Sequence, residues 1–287
     1  MGSKTSKTKR SASVETKTAA TSTAKIPAGP RVPQEIVDEI LDHLVADSDS
    51  RSLRSCSLAS KFWVQRCRGY LFHTILFTSA LTTKWLETFP VPEESPAHHV
   101  RDLRFVAGGG FNVPERFFEY VPWFTKVERV TVSGFGGWET LCRILSLGAF
   151  PQSVTSLAIN AGIVNLLQIR NILAQLQNLN DLSLSRSHVT VDREALPGIG
   201  SILRGNFGGR LRLHAKHAAK EVINTLLEVP TGLHFTEVEV IGVPECLVST
   251  VRLAEACGRN LVKLTYSIDP SCKSSSLTGS IVRLIPS

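Results

Sequence analysis

The sequence lacks the short cysteine pairs that mark zinc knuckles and redox dithiols. Its six cysteines lie 11, 75, 104, 11 and 15 residues apart, so no Cys-x-x-Cys pair occurs. The N-terminal region also lacks the apolar stretch of a secretory signal, which removes the case for a disulfide-forming compartment. We therefore expect reduced thiols and a cytoplasmic or nuclear location.

Motifs that would indicate catalysis or a cofactor are also missing. No Gly-x-Ser-x-Gly elbow occurs, and the glycine-rich segment 134–137 is followed by Glu139 where the dinucleotide fingerprint needs its third glycine. His214 and His217 have the spacing of one helix face, but no third metal ligand lies near them. No two carboxylates form a recognisable acid–base pair. The sequence predicts a protein that is not an enzyme and uses no cofactor or metal.

A membrane span is not expected either. Residues 144–169 carry no charge and, at 26 residues, are long enough to cross a bilayer. Gly148, Pro151 and Asn160 divide this stretch into a helix end, a turn and a strand. The stretch therefore predicts folded structure and no contact with a membrane.

Positive charge is concentrated at the N-terminus. Residues 1–31 contain seven basic residues and one acid, a net charge of +6 out of +7 for the whole chain. This segment is rich in Ser, Thr and Lys and has almost no large apolar side chain, so we expect a disordered basic tail. The nearly neutral remainder offers no footprint for a phosphate backbone, and nucleic acid is not an expected partner.

Residues 32–73 predict a small helical bundle. Pro33 suits the first turn of a helix, residues 47–50 supply a turn, and a third helix ends near Gly69. Apolar residues recur at helical spacing along the first helix, namely Ile36, Val37, Ile40, Leu41 and Leu44. Because three short helices make a marginal core, the bundle must dock on the rest of the chain or bury apolar surface on a partner.

These residues resemble an F-box, in particular a Val32-Pro33 start, the Glu35-Ile36 helix and a Leu-rich helix that runs into Trp63. The resemblance covers about 42 of the 287 residues and departs from the family at Val32, where leucine is usual. It implies docking onto a Skp-type adaptor of a cullin complex. The adaptor contacts or their immediate support would be Pro33, Ile36, Ile40, Leu44, Leu53, Leu58 and Trp63. The alternative is that Ile36, Ile40 and Trp63 form the core of the bundle.

Residues 74–270 contain a repeat. Short apolar strands are predicted with centres at Leu103, Val130, Leu157, Leu182, Leu211, Val238 and Leu264, spaced by 25 to 29 residues, and a further strand spans 71–77. Helix-period segments lie between them at 83–89, 114–124, 138–147, 165–176, 218–227 and 244–257. A strand and a helix in each unit predict an α/β fold with a curved parallel sheet. Residues 271–287 are expected to be a C-terminal tail that closes the array or marks a truncation.

This pattern resembles a leucine-rich repeat solenoid with degenerate repeats, since the usual Asn or Cys position of each repeat is occupied by other residues, for example Gly108 and Val243. Side chains that alternate with the buried ones point outward along each strand. These positions are Asp102, Arg104, Arg129, Thr131, Ser156, Ala158, Asp181, Ser183, Arg210, Arg212, Glu237, Glu239, Lys263 and Thr265. The candidate substrate surface consists of Arg104, Arg129, Arg210, Arg212, Glu237, Glu239 and Lys263. Neighbouring strands in register would alternatively let these charges neutralise one another.

Taken together, the sequence resembles a fungal-type F-box protein with degenerate leucine-rich repeats. The resemblance implies a substrate-receptor subunit of a Skp-cullin-F-box ubiquitin ligase, which holds the adaptor through the F-box and an unknown protein substrate through the repeats. The alternative is a non-catalytic repeat scaffold that takes no part in ubiquitination.

The composition of the tail generates a first prediction. Removal of residues 1–30 should leave the thermal unfolding midpoint nearly unchanged, because these residues lack apolar side chains that could anchor them. Calorimetry of the full and shortened chains measures the difference. A fall of many degrees would mean that the tail docks on the body.

Overall fold

The computed structural model describes residues 32–108, 113–134, 137–147, 153–160, 163–185, 188–190, 206–214, 219–229, 232–268 and 282–284. Within these residues, three helices come first and are followed by a parallel sheet with helices between its strands. The predicted basic tail at 1–31 and most of the predicted C-terminal tail lie outside the described residues.

The first three helices are α1 Gln34–Ala46, α2 Ser50–Ala59 and α3 Lys61–Leu71. Asp49 caps α2 by accepting a hydrogen bond from the Ser52 backbone N–H at 3.0 Å. The third helix extends two residues past the predicted end near Gly69. The buried residues of these helices form a core of their own, separate from the core under the sheet: Val37, Leu41, Leu53 and Cys67.

The described strands are β1 Thr74–Phe77, β2 Asp102–Ala107, β3 Arg129–Gly134, β4 Ser156–Asn160, β5 Ile163–Asn165, β6 Asp181–Ser185, β7 His188–Thr190, β8 Phe207–His214, β9 Leu233–Gly242, β10 Lys263–Ile268 and β11 Val282–Leu284. The main sheet has the order β1-β2-β3-β4-β6-β8-β9-β10-β11, and all its pairs are parallel except β10 with β11. The predicted α/β class is confirmed. β11 lies within the predicted C-terminal tail and covers the edge at β10.

The register of the sheet places the predicted strand centres in one row. Leu103 pairs with Val130, which pairs with Leu157, and the same row continues across the sheet through Leu182, Leu211, Val238 and Leu264. Every one of these side chains is buried. A second buried row runs parallel to it, from Phe77 and Phe105 to Val240 and Tyr266. One apolar layer therefore extends across the sheet from β1 to β10.

The helices between the described strands cover the apolar side of the sheet. They are α4 Ser79–Thr88, α5 Gly137–Ser146, α6 Leu166–Gln175, α7 Ala219–Leu227 and α8 Cys246–Cys257. Their buried apolar residues belong to the same core as the strands.

The prediction of a helix over residues 114–124 is wrong. This segment forms two short 3-10 helices, Glu115–Glu119 and Val121–Trp123, and Pro122 lacks the N–H that a continuous α-helix would need. Aromatic rings fill the space beside these short turns. The ring of Phe77 lies 4.8 Å from that of Phe117, edge to face, and 5.9 Å from that of Phe105. Aromatic packing thus takes the place of a helix.

A glycine permits the irregular pairing of β8. The register shifts between Gly209 and Arg210, and Gly209 has a φ of +65°, which L side chains rarely adopt. A Cβ atom at this position would lie 2.1 Å from the backbone oxygen of Asn180. Only glycine fits this close approach between β8 and the segment before β6.

The shared apolar row generates a second prediction. Leu182→Ala should lower the free energy of unfolding by about 2–5 kcal/mol, because Leu182 is completely buried in the middle of the sheet. Ser183→Ala, the next residue on the opposite side of β6, is the control and should change stability by less than about 0.5 kcal/mol. Urea denaturation of both variants measures the difference, and equal effects would contradict the assignment of the two faces.

Candidate functional site

An apolar stripe lies on the exposed side of α1. Ile36 and Ile40 lie one turn apart on α1 with exposed fractions of 46% and 42%, and Val32, just before the helix, is 55% exposed. Val37 and Leu41 on the other side of the helix are buried in the core of the bundle. The helix therefore has two apolar faces, of which the bundle itself uses one.

The other residues predicted to contact or support the adaptor have different environments. Leu58 is 87% exposed at the end of α2, and Pro33 is an exposed residue at the N-cap of α1. Leu44 and Trp63 are half-buried and pack against the core of the bundle, and Leu53 lies inside that core. The alternative of a core role therefore does not fit Ile36 and Ile40, whereas Trp63 does pack against the core.

Ion pairs hold α1 against α3. Arg66 on α3 lies 3.0 Å from a carboxylate oxygen of Asp38 and 3.4 Å from one of Asp42. The Tyr70 hydroxyl donates a hydrogen bond to Asp42, which lowers the pKa of that carboxyl group. The same hydrogen bond raises the pKa of Tyr70. These contacts fix the orientation of α1 and hence of its exposed apolar stripe.

The sheet carries polar side chains on the side opposite its helices, which we call the polar face. It comprises the outward positions predicted from the sequence. The register places them in two rows, one with Asp102, Arg129, Ser156, Asp181, Arg210, Glu237 and Lys263, the other with Arg104, Thr131, Ala158, Ser183, Arg212, Glu239 and Thr265. The predicted substrate residues therefore share one face and fall into two groups, at β2–β3 and at β8–β10.

Asp102 organises the first group. Strand alternation predicts an outward-facing residue here, but the side chain is only 3% exposed. Arg104 donates two hydrogen bonds to one of its carboxylate oxygens, from Nε at 3.1 Å and from Nη2 at 2.6 Å, and Arg129 lies 3.7 Å from the same oxygen. The hydrogen bonds to Asp102 raise the pKa of Arg104. One buried carboxylate thus anchors both predicted arginines.

The second group consists of neighbouring columns of opposite charge. Arg210 donates a hydrogen bond to Glu237 at 2.8 Å, and this bond raises the pKa of Arg210 and lowers that of Glu237. Arg212 lies 3.8 Å from Glu239, whose other oxygen is 3.3 Å from His214 Nε2. A cleft of about 230 Å³ is lined by Arg210, Arg212, Glu237, Val238, Glu239, Lys263 and Thr265. The charges largely neutralise one another, in agreement with the alternative interpretation of the sequence.

Two contacts on the polar face were not predicted from the sequence. The contact of Asp102 with Arg129, 27 positions away, arises only through the register, whereas Arg104 is two residues away on the same strand. His214 Nε2 lies 3.3 Å from a carboxylate oxygen of Glu239, although the sequence suggested only a weak case for metal binding at His214. When the strand sequences are aligned by their predicted centres, Arg129 falls beside Asp102 and Glu239 falls near His214.

Metal binding and membrane insertion are two other functions that the described residues bear on. There, no group of three or more His, Cys, Asp or Glu residues is placed to hold a metal ion. His217 lies outside the described residues. Within the same ranges, no helix has both the length and the apolar character needed to cross a membrane.

The buried carboxylate generates a third prediction. Asp102→Asn should lower the free energy of unfolding by about 1–3 kcal/mol, because Arg104 and Arg129 lose their shared counter-charge. Glu237→Gln, which breaks an exposed pair, is the matched control and should lower the free energy of unfolding by less than Asp102→Asn does. Chemical denaturation measures both values. A smaller loss for Asp102→Asn than for the control would contradict the anchoring role.

Comparison with known proteins leaves the family open. No protein-family model matches this sequence, and no curated protein matches it. The resemblances to an F-box and to leucine-rich repeats therefore rest on the residues of this chain alone.

Proposed function

We propose that this protein is the substrate-receptor subunit of a Skp-cullin-F-box ubiquitin ligase. In this proposal α1–α3 form an F-box that binds a Skp-type adaptor, and the strand–helix units form a degenerate leucine-rich repeat solenoid. The chain contributes no catalytic residue. It acts by proximity, since holding a protein substrate beside the ligase raises the effective concentration of the reacting groups.

The observation that carries the proposal is the exposed apolar stripe on α1. Ile36 and Ile40 are positions that the F-box resemblance assigns to the adaptor, and neither is needed to complete the core of the bundle. Exposed apolar side chains in a row gain free energy when a partner removes them from water. Leu58, almost fully exposed, adds a further apolar group at the end of α2.

The polar face is the surface proposed for the substrate. Strands β2, β3, β8 and β9 display paired charges, Lys263 on β10 adds a positive charge, and the cleft at β8–β10 offers a local concavity. Because the pairs on β8 and β9 are half-exposed on both sides, a partner with complementary charges can exchange with them at modest cost. We propose a protein substrate whose surface carries both signs of charge.

The internal pairing of these charges also supports the second candidate, a repeat scaffold that takes no part in ubiquitination. A face whose arginines are already neutralised, such as Arg210 by Glu237, has less free charge with which to recruit a substrate. The two candidates differ in their assembly with a cullin. A stable complex of chain, adaptor and cullin in size-exclusion chromatography favours the receptor, and a chain that enters no such complex favours the scaffold.

The fourth prediction tests the adaptor surface directly. The double variant Ile36→Ala with Ile40→Ala should weaken adaptor binding by about 30-fold or more, because two half-exposed anchors at the centre of the surface lose about 2 kcal/mol or more in total. Isothermal titration of the full chain with a purified Skp-type adaptor measures the affinity. The thermal midpoint should stay close to that of the wild type, since neither residue lies in the core.

The matched control removes a similar amount of exposed apolar surface elsewhere. Val248→Ala with Val251→Ala on α8 changes two exposed valines and should leave adaptor affinity within about twofold of the wild type. If the α1 variant, shown to be folded, binds the adaptor as the wild type does, the receptor proposal loses its mechanism. If both variants lose affinity equally, the contact is non-specific.

A further inference from the structure

A second cleft lies where the helical bundle meets the sheet. It has a volume of about 260 Å³, and its walls come from α3, from His73 two residues after that helix, and from the segments that lead into β2 and β3. Side chains that can carry positive charge dominate its lining: Arg66, His73, His99, Arg101 and Lys126. Tyr70 adds a hydroxyl group, and no described residue lining the cleft is acidic.

The arginines keep donors available in spite of their ion pairs. Arg66 uses Nη1 and Nη2 for Asp38 and Asp42, and Arg101 uses Nη1 for Glu128. A guanidinium group has five N–H donors, so each arginine has further hydrogen bonds to give. Lys126 is exposed and forms no hydrogen bond or ion pair among the described residues. The cleft therefore contains one free ammonium group and two arginines with spare donors.

The ring of His99 lies in this cleft beside several cationic side chains. Its pKa is lowered to about 4, first by burial and then by the positive charges of His98, Lys126 and Arg68. Its Nε2 atom is buried and has no hydrogen-bond partner. α3 lies beside this ring, since a Cβ at Gly69 would be 4.0 Å from His99 Nδ1, an ordinary contact distance. A partly buried imidazole beside cations, with an unpartnered Nε2, is an arrangement that a bound anion would stabilise.

We propose that this cleft binds the phosphate group of a small anion, held by Arg66, Arg101 and Lys126. The proposal concerns a site apart from the apolar stripe on α1 and does not depend on adaptor binding. A phosphate group suits the cleft better than a carboxylate, because it has more acceptor oxygens and a charge that approaches −2 near neutral pH. The three cationic side chains come from three separate segments, α3 and the segments before β2 and β3, and arginine binds phosphate oxygens in pairs.

Titration with pyrophosphate tests the proposal. The full chain is titrated by calorimetry at constant ionic strength, set with sodium chloride, and inorganic phosphate is titrated in parallel to compare one phosphate group with two. Lys126→Gln should weaken pyrophosphate binding by about tenfold or more, the loss expected for one hydrogen bond between charged groups. Lys126→Arg keeps the charge and should bind within about twofold of the wild type. Lys84→Gln removes an exposed lysine on α4 and is the matched control.

Proton NMR of His99 supplies a readout that is specific to the cleft. A bound phosphate group favours the protonated imidazole, so pyrophosphate should raise the pKa of His99 from about 4 toward its ordinary value of 6.5. The same shift should be smaller in Lys126→Gln. Absence of binding by the wild type, an unchanged His99 titration, or equal affinities of Lys126→Gln and Lys84→Gln would each overturn the proposal.

Discussion

The regularity of the sheet depends on one repeated contact. In this contact, a backbone carbonyl oxygen accepts hydrogen bonds from two N–H groups of the next strand–helix unit. The oxygen of His73 accepts from Arg101 and Asp102, each at 2.9 Å. The carbonyls of Arg101, Glu128 and Thr155 do the same for the unit that comes after each of them. Because each new strand starts at a position defined by the previous strand, its side chains enter the same rows. The apolar layer and the polar face are consequences of this repeated start.

Much of the fold could be predicted because the spacing of apolar residues is a local pattern that repeats along the chain. A row such as Leu103, Val130 and Leu157 reflects an apolar spacing that can be read along the chain, and the register aligns those residues. The helix expected over 114–124 failed since helical spacing of apolar residues does not report whether a proline such as Pro122 interrupts the hydrogen bonds. The pairing of β5 with β7 and of β10 with β11 was also missed, as three-residue strands leave too short a pattern.

The candidate surfaces could be predicted only in part. Helical spacing shows that α1 has apolar residues on more than one face, but packing against α2 and α3 decides that Val37 is buried and Ile36 exposed. On the sheet, alternation places Asp102 among the outward positions but does not predict that its side chain is only 3% exposed beside Arg104 and Arg129. The cationic cleft brings together Arg66, Arg101 and Lys126 from segments up to 60 positions apart, a proximity that no local pattern encodes.

The separate core of α1–α3 has a consequence for the order in which parts of the molecule open. In the described residues this core rests on Val37, Leu41, Leu53 and Cys67, whereas the sheet and its helices share one continuous apolar layer. A small core gives a small cooperative unit, so the amide protons of these helices should exchange with solvent sooner than those of the central strands. Any partner seated on α1 would slow that exchange by mass action, and the kinetics of hydrogen exchange would then report occupancy of the bundle without any change in its structure.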